Sequence, residues 1–290
     1  MPAALFALGT AVLFALHNVL IKKGLATSNS TTAVFITIGI NSVFLWGFAL
    51  PLTPLHYLAT PAILIFLGVG LFQPGLTRLL TVKGIDTLGV AIADPIRAST
   101  PMFSSLMAIL FLGEQMTFAI LCGTILIILG VTVLSYQKSA GRPLRLLYIF
   151  YPILASFLVG LSQVARKFGL AFIPHPFLAA AVTATSSFAV ISSLLLLTGQ
   201  KGEGLRLTRE CLPYYLSAGV AISMAMASLY YALSLGEVIV VIPVTSSGPF
   251  FALTLSAIFL RDIEQVTLKI VLGAGLIVMG VLLVTLWKSP

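Results

Sequence analysis

Charged residues are scarce in this chain: only 8% of its 290 residues are Asp, Glu, Lys or Arg, whereas 59% are hydrophobic. Ordinary soluble domains carry about 25% charged residues, so the composition argues strongly against a soluble protein. The long apolar runs indicate membrane-spanning helices, each of which needs about 20 residues. Ten such spans would use most of the chain and leave no length for a soluble domain.

Cysteine and histidine are also sparse, with two Cys and three His residues. Cys122 and Cys211 lie far apart and show none of the Cys/His spacing typical of a metal site. We expect neither a metal nor a cofactor, and we interpret Cys122 as an inert thiol, although a disulfide stays open. The spans contain no HExxH motif, no Ser/His arrangement and no paired carboxylates, so we do not expect an enzyme.

The net charge of +8 does not indicate nucleic-acid binding, because the basic residues cluster at the ends of the apolar runs. Loops after odd-numbered runs carry most of them, while loops after even-numbered runs carry little beyond Arg166 and Lys167. The positive-inside rule then places the odd loops in the cytoplasm and both termini outside. The first run has its charges after the apolar stretch, which favours a retained span over a signal peptide. We therefore predict a multi-pass protein of the cytoplasmic (inner) membrane.

Ten apolar runs can be marked, and turn-forming residues separate them. They lie at about 3–21, 32–51, 60–82, 88–111, 115–136, 147–166, 175–198, 211–234, 237–260 and 265–287. The longest basic break falls at the centre of the chain. We therefore predict a first five-helix repeat at 1–137, a basic connecting loop at 138–146 and a second five-helix repeat at 147–290.

Several features recur in the two halves at an offset of about 145 to 150 residues. The matching pairs are 18–26 with 163–171, Pro95 and Pro101 with Pro243 and Pro249, Glu114 with Asp262, and Gly123 and Gly130 with Gly273 and Gly280. Because each half holds five spans, an odd number, the halves enter the membrane in opposite orientations. The predicted fold is an all-α integral membrane protein with ten transmembrane helices arranged as two inverted five-helix repeats, an architecture that places transporter sites at the midplane.

The fourth run carries two charges near its middle, Asp94 and Arg97. A charge at that depth costs about 2.5 to 3.5 kcal/mol on insertion scales, so it should face protein or a water-filled cavity. The two residues are three apart and share a helix face. They either neutralise each other as a structural pair or bind a zwitterionic substrate, with Arg97 taking its carboxylate. Pro95 and Pro101 in this run, and Pro243 and Pro249 in the ninth, are predicted helix-kink residues.

Other polar side chains within the runs are further candidates for substrate binding. They are His17, Asn18, Gln73, Gln163, Tyr230, Thr245, Ser246 and Ser247. A membrane histidine can relay protons near neutral pH, or it can simply hydrogen-bond to a neighbouring helix. Gln163 occupies the repeat position of Asn18, which predicts a pseudo-symmetric polar pair. The Ser/Thr cluster is equally well explained by helix packing.

The endings of the two halves carry a recognisable pattern of a proline, then FLGE, then two glycines. The first half has it from Pro101 to Glu114, and the second from Pro249 to Asp262, where Arg-Asp replaces Gly-Glu. In this the chain resembles the drug/metabolite transporter superfamily, in its ten-span EamA-like branch. The resemblance implies a secondary transporter of small metabolites, often an exporter, that works by alternating access. It also implies cytoplasmic termini in many members, against the charge count, so the orientation stays open.

We therefore expect a secondary transporter of small polar metabolites, amino-acid-like or other carboxylate-bearing solutes, working in the efflux direction. Its expected partners are that solute and the lipid bilayer, with protons as a candidate coupling ion through Asp94 or His17. The oligomeric state stays open, although a monomer is sufficient. The alternative is a flippase for a polyprenyl-phosphate-linked or other lipid-linked substrate, for which Arg78 would matter more than Arg97.

Overall fold

The computed structural model describes residues 2–88, 93, 96–135, 146–197, 205–259 and 268–286. Within these ranges the regular structure is entirely helical. The predicted residues Asp94 and Pro95 lie outside the described residues, as does most of the predicted connecting loop. The division of the chain at 138–146 therefore stays a prediction.

Twelve α-helices are described, six in each half, and short 3₁₀ helices lie at Leu55–Ala59 and Leu146–Ile149. The first half contains α1 (Pro2–Gly24), α2 (Ser30–Leu52), α3 (Ile63–Gly70), α4 (Thr77–Leu88), α5 (Thr100–Leu112) and α6 (Phe118–Ser135). The second half contains α7 (Phe150–Phe172), α8 (Pro176–Leu197), α9 (Leu212–Leu235), α10 (Val238–Thr245), α11 (Gly248–Phe259) and α12 (Leu268–Leu286). Five of them are long and apolar enough to cross a membrane alone, and shorter apolar helices supply the other five spans. The ten predicted spans are confirmed.

The third and ninth spans are each built from two helices. In the third, a wide helical turn at Leu71–Leu76 separates α3 from α4, and Gln73 within it has an extended backbone (φ −129°, ψ 120°). The residue after Gln73 is a proline, which disfavours the helical conformation at the preceding position. In the ninth, a turn at residues 246–247 separates α10 from α11. It lies between the predicted kink residues Pro243 and Pro249.

The two halves interlock rather than forming separate bundles. Helix α1 packs mainly on α9, and α7 packs on α4 and α5, so the first span of each half lies against the other half. Helices α2 and α8 pack on each other, and so do α6 and α12. The helices of one half therefore bury their surfaces mostly against the helices of the other.

The contact between α6 and α12 is made by glycines. A Cβ atom at Gly123 would lie 2.7 Å from the carbonyl oxygen of Gly280, and one at Gly130 would lie 2.7 Å from that of Gly273. The earlier glycine of one helix thus meets the later glycine of the other, as inverted repeats require. Small residues let helix backbones approach closely in a membrane, where packing rather than the hydrophobic effect drives association.

We call the face of the molecule with the loops after odd-numbered spans the odd side, and the opposite face the even side. On the even side, Glu114 lies between α5 and α6 and accepts hydrogen bonds from the backbone N–H groups of Val238 (2.9 Å) and Ile239 (3.0 Å). A carboxylate at this position satisfies two free donors and complements the positive end of α10. The side chain therefore has a structural role.

Candidate functional site

A central cavity of about 360 Å³ lies between helices of both halves. Its polar lining residues are His17, Asn18, Ser30, Thr37, Asn41, Gln73, Arg166, Thr183, Ser187 and Tyr230. At one end it reaches Leu25 and Ser30, which are exposed on the odd side. At the other it ends at the buried Arg166 and Tyr230. The cavity thus runs from the odd side into the middle of the bundle.

Arg166 is the most informative residue of this cavity. It lies on α7 with only 2% of its side chain exposed. Its Nη1 donates to Gln163 Oε1 (2.8 Å), and its Nη2 donates to Gln73 Oε1 (3.1 Å). The ring of Tyr230 lies 5.4 Å from the guanidinium carbon, within the range of a cation–π contact. These contacts fix the guanidinium at the inner end of the cavity.

No carboxylate neutralises Arg166 within the part of the chain that the structure describes. Its partners are two neutral amides and an aromatic ring, and its Nε has no hydrogen-bond partner at all. Removing a charge from water costs several kcal/mol unless it is paired. A guanidinium has a planar fork of donors that matches a carboxylate. The arrangement is therefore suited to an anion that enters the cavity.

Sequence reasoning placed Arg166 wrongly, in a loop after the sixth span. The structure instead places both Arg166 and Lys167 inside α7, which continues to Phe172. Two adjacent basic residues resemble the charged flank of a span, and this led to an early end for the sixth run. The repeat register contained the missing signal, because the residue equivalent to Arg166 is Ile21 inside α1. Both of these residues line the cavity.

Five predicted site residues lie at the cavity or touch Arg166. His17, Asn18, Gln73 and Tyr230 line it, and Gln163 lies directly beside Arg166. His17 makes a 3.0 Å hydrogen bond through Nδ1 to the backbone carbonyl of Ala218 on α9. Since a carbonyl can only accept, Nδ1 carries the proton. This is the structural bond to a neighbouring helix that the sequence left as one alternative.

The cavity walls contain polar groups that the sequence reasoning did not single out. Thr183 on α8 shares a hydrogen bond of 2.6 Å with the hydroxyl of Tyr230, which orients that ring. Ser187, one turn further along α8, donates to the backbone carbonyl of Gln73 (3.1 Å) at the break in the third span. Free carbonyls at a broken helix are tolerated in a membrane only when they are satisfied in this way.

Asn41 on α2 is the second cavity residue with an unused polar group. Its side chain is 7% exposed, and its Oδ1 has no hydrogen-bond partner. Like Thr183 and Ser187, it is an uncharged residue within a span, so a hydrophobicity profile does not mark it as a candidate site residue. A buried carboxamide oxygen without a partner costs about 1 to 3 kcal/mol, which a bound ligand can recover.

Arg97 lies elsewhere, in two smaller hollows of about 280 and 300 Å³. Ser246 and Pro249 share the first hollow with it, and Gln73 shares the second. Pro101 has no N–H group to donate to the backbone carbonyl of Arg97. That carbonyl instead accepts a hydrogen bond from the Thr100 hydroxyl (2.7 Å). The predicted role of Arg97 and Asp94 in substrate binding stays a prediction.

The Ser/Thr cluster of the ninth span uses its hydroxyls within the helix break. Thr245 and Ser246 both donate to the carbonyl of Ile242, at 2.8 and 2.9 Å, and Ser247 donates to that of Val244 at 2.7 Å. Ser246 also lines the hollow beside Arg97. Their hydroxyls thus satisfy backbone carbonyls, and the predicted role of these residues in substrate binding stays a prediction.

The even side of the cavity is closed by contacts among the span ends on that side. Lys167 donates from Nζ to the carbonyls of Leu233 (2.7 Å) and Gly236 (2.8 Å) at the end of α9. Next to it, Glu114 holds the start of α10, and the rings of Tyr57 and His175 lie 4.8 Å apart. A cation at the end of one helix and an anion at the start of the next both complement the helix dipoles.

Neither a metal site nor a disulfide is found among the described residues. They contain no group of three His, Cys, Asp or Glu side chains able to hold a metal ion. Cys122 and Cys211 are both free thiols.

Comparison with known proteins gives a consistent result. The sequence profile of the EamA-like transporter family matches residues 1–136 and 146–286. The chain is 24% identical over 285 residues to an uncharacterized transporter of Archaeoglobus fulgidus, with 97% of each chain covered. It is 33% identical over 78 residues to the uncharacterized protein MJ1333.1 of Methanocaldococcus jannaschii, which covers 27% of this chain and 56% of that protein.

A solved crystal structure shares the fold, with 16% identity, a TM-score of 0.80, and coverage of 98% of this chain and 96% of that chain. The family match extends over nearly the whole chain, including both predicted repeats, and so confirms the resemblance seen in the sequence. The chain is a multi-pass membrane protein that belongs to the EamA-like transporter family of the drug/metabolite transporter superfamily.

Proposed function

We propose that this protein is a secondary transporter that carries small carboxylate-bearing solutes through the central cavity, out of the cell, by alternating access. The observation that carries the substrate class is Arg166, a buried cation with an unused donor at the inner end of the cavity. Arginine binds carboxylates through two parallel hydrogen bonds. A substrate carboxylate would supply the negative charge that the described protein groups around Arg166 do not.

The shape of the cavity supports alternating access. It reaches exposed residues on the odd side, whereas Glu114, Lys167 and the Tyr57–His175 ring contact close the even side. A site that is open to one face only is what one state of a gated transporter requires. The other state would need the even-side contacts to break and the cavity to narrow near Leu25.

The loop charges support the proposed direction of transport and the proposed membrane. The odd loops hold most of the Lys and Arg residues, so the positive-inside rule places the cavity mouth in the cytoplasm. Because Arg166 lies inside α7, the even loops carry one basic residue fewer, and the difference in charge between odd and even loops is larger. A cavity that loads from the cytoplasm is suited to efflux.

Transport by purified protein in liposomes tests the proposal. We expect exchange of radiolabelled acetate, lactate, pyruvate, succinate or leucine into protein-containing vesicles above that into empty ones. Arg166→Gln should reduce this flux by about 10- to 100-fold, because a hydrogen bond to a charged group contributes about 1.5 to 3 kcal/mol. Arg166→Lys should keep part of it, since the charge remains and the planar fork is lost.

Arg209→Gln is the matched control, because it removes the same charge from an exposed loop position. Each variant is compared at equal amounts of monodisperse protein with an unchanged unfolding temperature. Equal flux in wild type and Arg166→Gln would refute the site. Movement of a polyprenyl-phosphate lipid that does not depend on Arg166 would support the flippase alternative instead.

A further inference from the structure

The charge of the central cavity is unusually simple. Among its lining residues in the described part of the chain, Arg166 is the one permanent charge, and none is Asp or Glu. His17 presents Nδ1–H to the carbonyl of Ala218, which the neutral ring can do. The described lining therefore carries one permanent positive charge, which a substrate with one negative charge neutralises.

A zwitterion fits this cavity less well than a simple anion. Its carboxylate can pair with Arg166, but its ammonium group then lies in a buried site with no acid among the described lining residues. An ammonium removed from water without a counter-charge carries a large desolvation cost. The cavity thus favours a carboxylate without an amino group.

The remaining wall specifies the rest of the ligand. Ile21, Val34, Ile38, Ile222 and Met226 form an aliphatic surface between the mouth and Arg166. Such a surface binds an apolar carbon skeleton, and the volume of about 360 Å³ lies in the usual range for small-molecule sites.

Asn41 adds one neutral polar contact to this aliphatic wall. Its carboxamide lines the cavity, and its Oδ1 lacks a partner. A carboxamide accepts a hydrogen bond from a hydroxyl through its oxygen, or donates one to an oxo group through its nitrogen. Either ligand group would satisfy the amide without adding charge.

We propose that the substrate is a small organic monoanion, a hydroxy or oxo monocarboxylate with an apolar skeleton, and not a zwitterionic amino acid. Its carboxylate binds Arg166, its hydroxyl or oxo group binds Asn41, and its skeleton lies on the aliphatic wall. This inference rests on the proposed function and narrows the substrate class of the same cavity.

Binding of two matched ligand series to the purified full chain tests the proposal. One series has three carbons (propionate, lactate, pyruvate, alanine). The other has a branched six-carbon skeleton (4-methylpentanoate, its 2-hydroxy and 2-oxo derivatives, leucine). In at least one series the hydroxy or oxo acid should bind about 2- to 10-fold more tightly than the plain acid, as one added hydrogen bond provides. The amino acid should bind at least about 30-fold more weakly than the hydroxy or oxo acid.

Asn41→Leu tests the polar contact separately. It should remove the advantage of the hydroxy and oxo acids while leaving the affinity for the plain acid unchanged, so the plain acid is an internal control for folding. An equal loss for every acid would overturn the assignment of Asn41.

The possible failures can be told apart. If the amino acid binds as tightly as the oxo acid and Arg166→Gln abolishes both, the inference is wrong and the proposed function stands. If no acid of either series binds, or if all bind equally well to Arg166→Gln, the proposed function fails with it.

Discussion

The glycine contact between α6 and α12 allows a sharp test of the fold with single methyl groups. A Cβ atom at Gly280 would lie 2.6 Å from the carbonyl oxygen of Gly123 and 2.9 Å from the backbone nitrogen of Ile127. Both neighbours are backbone atoms, which cannot rotate away, so Gly280→Ala must push the helices apart. Such overpacking costs about 1 to 3 kcal/mol. Gly275 lies on the same helix with nothing within 4 Å of its Cβ position, which makes Gly275→Ala the matched control.

Thermal unfolding of both variants in detergent measures the difference directly. Alanine is preferred over glycine in a helix by about 0.5 to 1 kcal/mol, and this gain is common to both substitutions. The gap between the variants therefore reports the steric cost alone. At about 2 to 4 °C per kcal/mol, Gly280→Ala should unfold roughly 2 to 12 °C below Gly275→Ala. Equal unfolding temperatures would show that the helices do not meet at this glycine.

Two further predictions concern the even-side contacts. Burial raises the pKa of the Glu114 carboxyl above its ordinary value of 4.5, although the N–H groups of Val238 and Ile239 act in the opposite direction. The folded protein then binds this proton more tightly than the unfolded chain, so stability falls as the pH rises through the raised pKa. Glu114→Gln should therefore flatten that part of a profile of unfolding temperature against pH. An unchanged slope would contradict the assignment. Lys167→Met removes two hydrogen bonds to the carbonyls at the end of α9. It should lower the unfolding free energy by about 2 kcal/mol or more. An unchanged denaturant midpoint would show that these bonds do not stabilise the closed side.

The fold was predictable because the membrane imposes few solutions. Apolar runs of about 20 residues can only be spans, and the ten predicted spans correspond to the helices that the structure describes. The glycine pairs that recur in the two halves lie where α6 and α12 meet, with Gly123 packed on Gly280. The same physics limited what could be read about the site, because hydrophobicity locates spans but says nothing about which faces meet.

The site was predicted less well. His17, Asn18, Gln73 and Tyr230 were singled out as polar groups within spans, and they line one cavity. Arg166, the residue on which that cavity depends, was assigned to a loop. A charge six residues before the end of a span looks like a flanking charge until the helix is seen to continue. Its partners Gln73 and Tyr230 come from the break in the third span and from α9, and the local sequence around Arg166 does not reveal these tertiary contacts.

The position of Gln73 has a consequence for how a ligand could leave. Gln73 lines both the central cavity and the hollow beside Arg97, so it is part of the partition between the two spaces. Its amide oxygen accepts a hydrogen bond from Nη2 of Arg166 (3.1 Å). If a substrate carboxylate accepts this hydrogen bond instead, the Gln73 amide is free to rotate. Its rotation would join the two spaces. Occupancy of the cavity would then remove the boundary between it and the hollow beside Arg97.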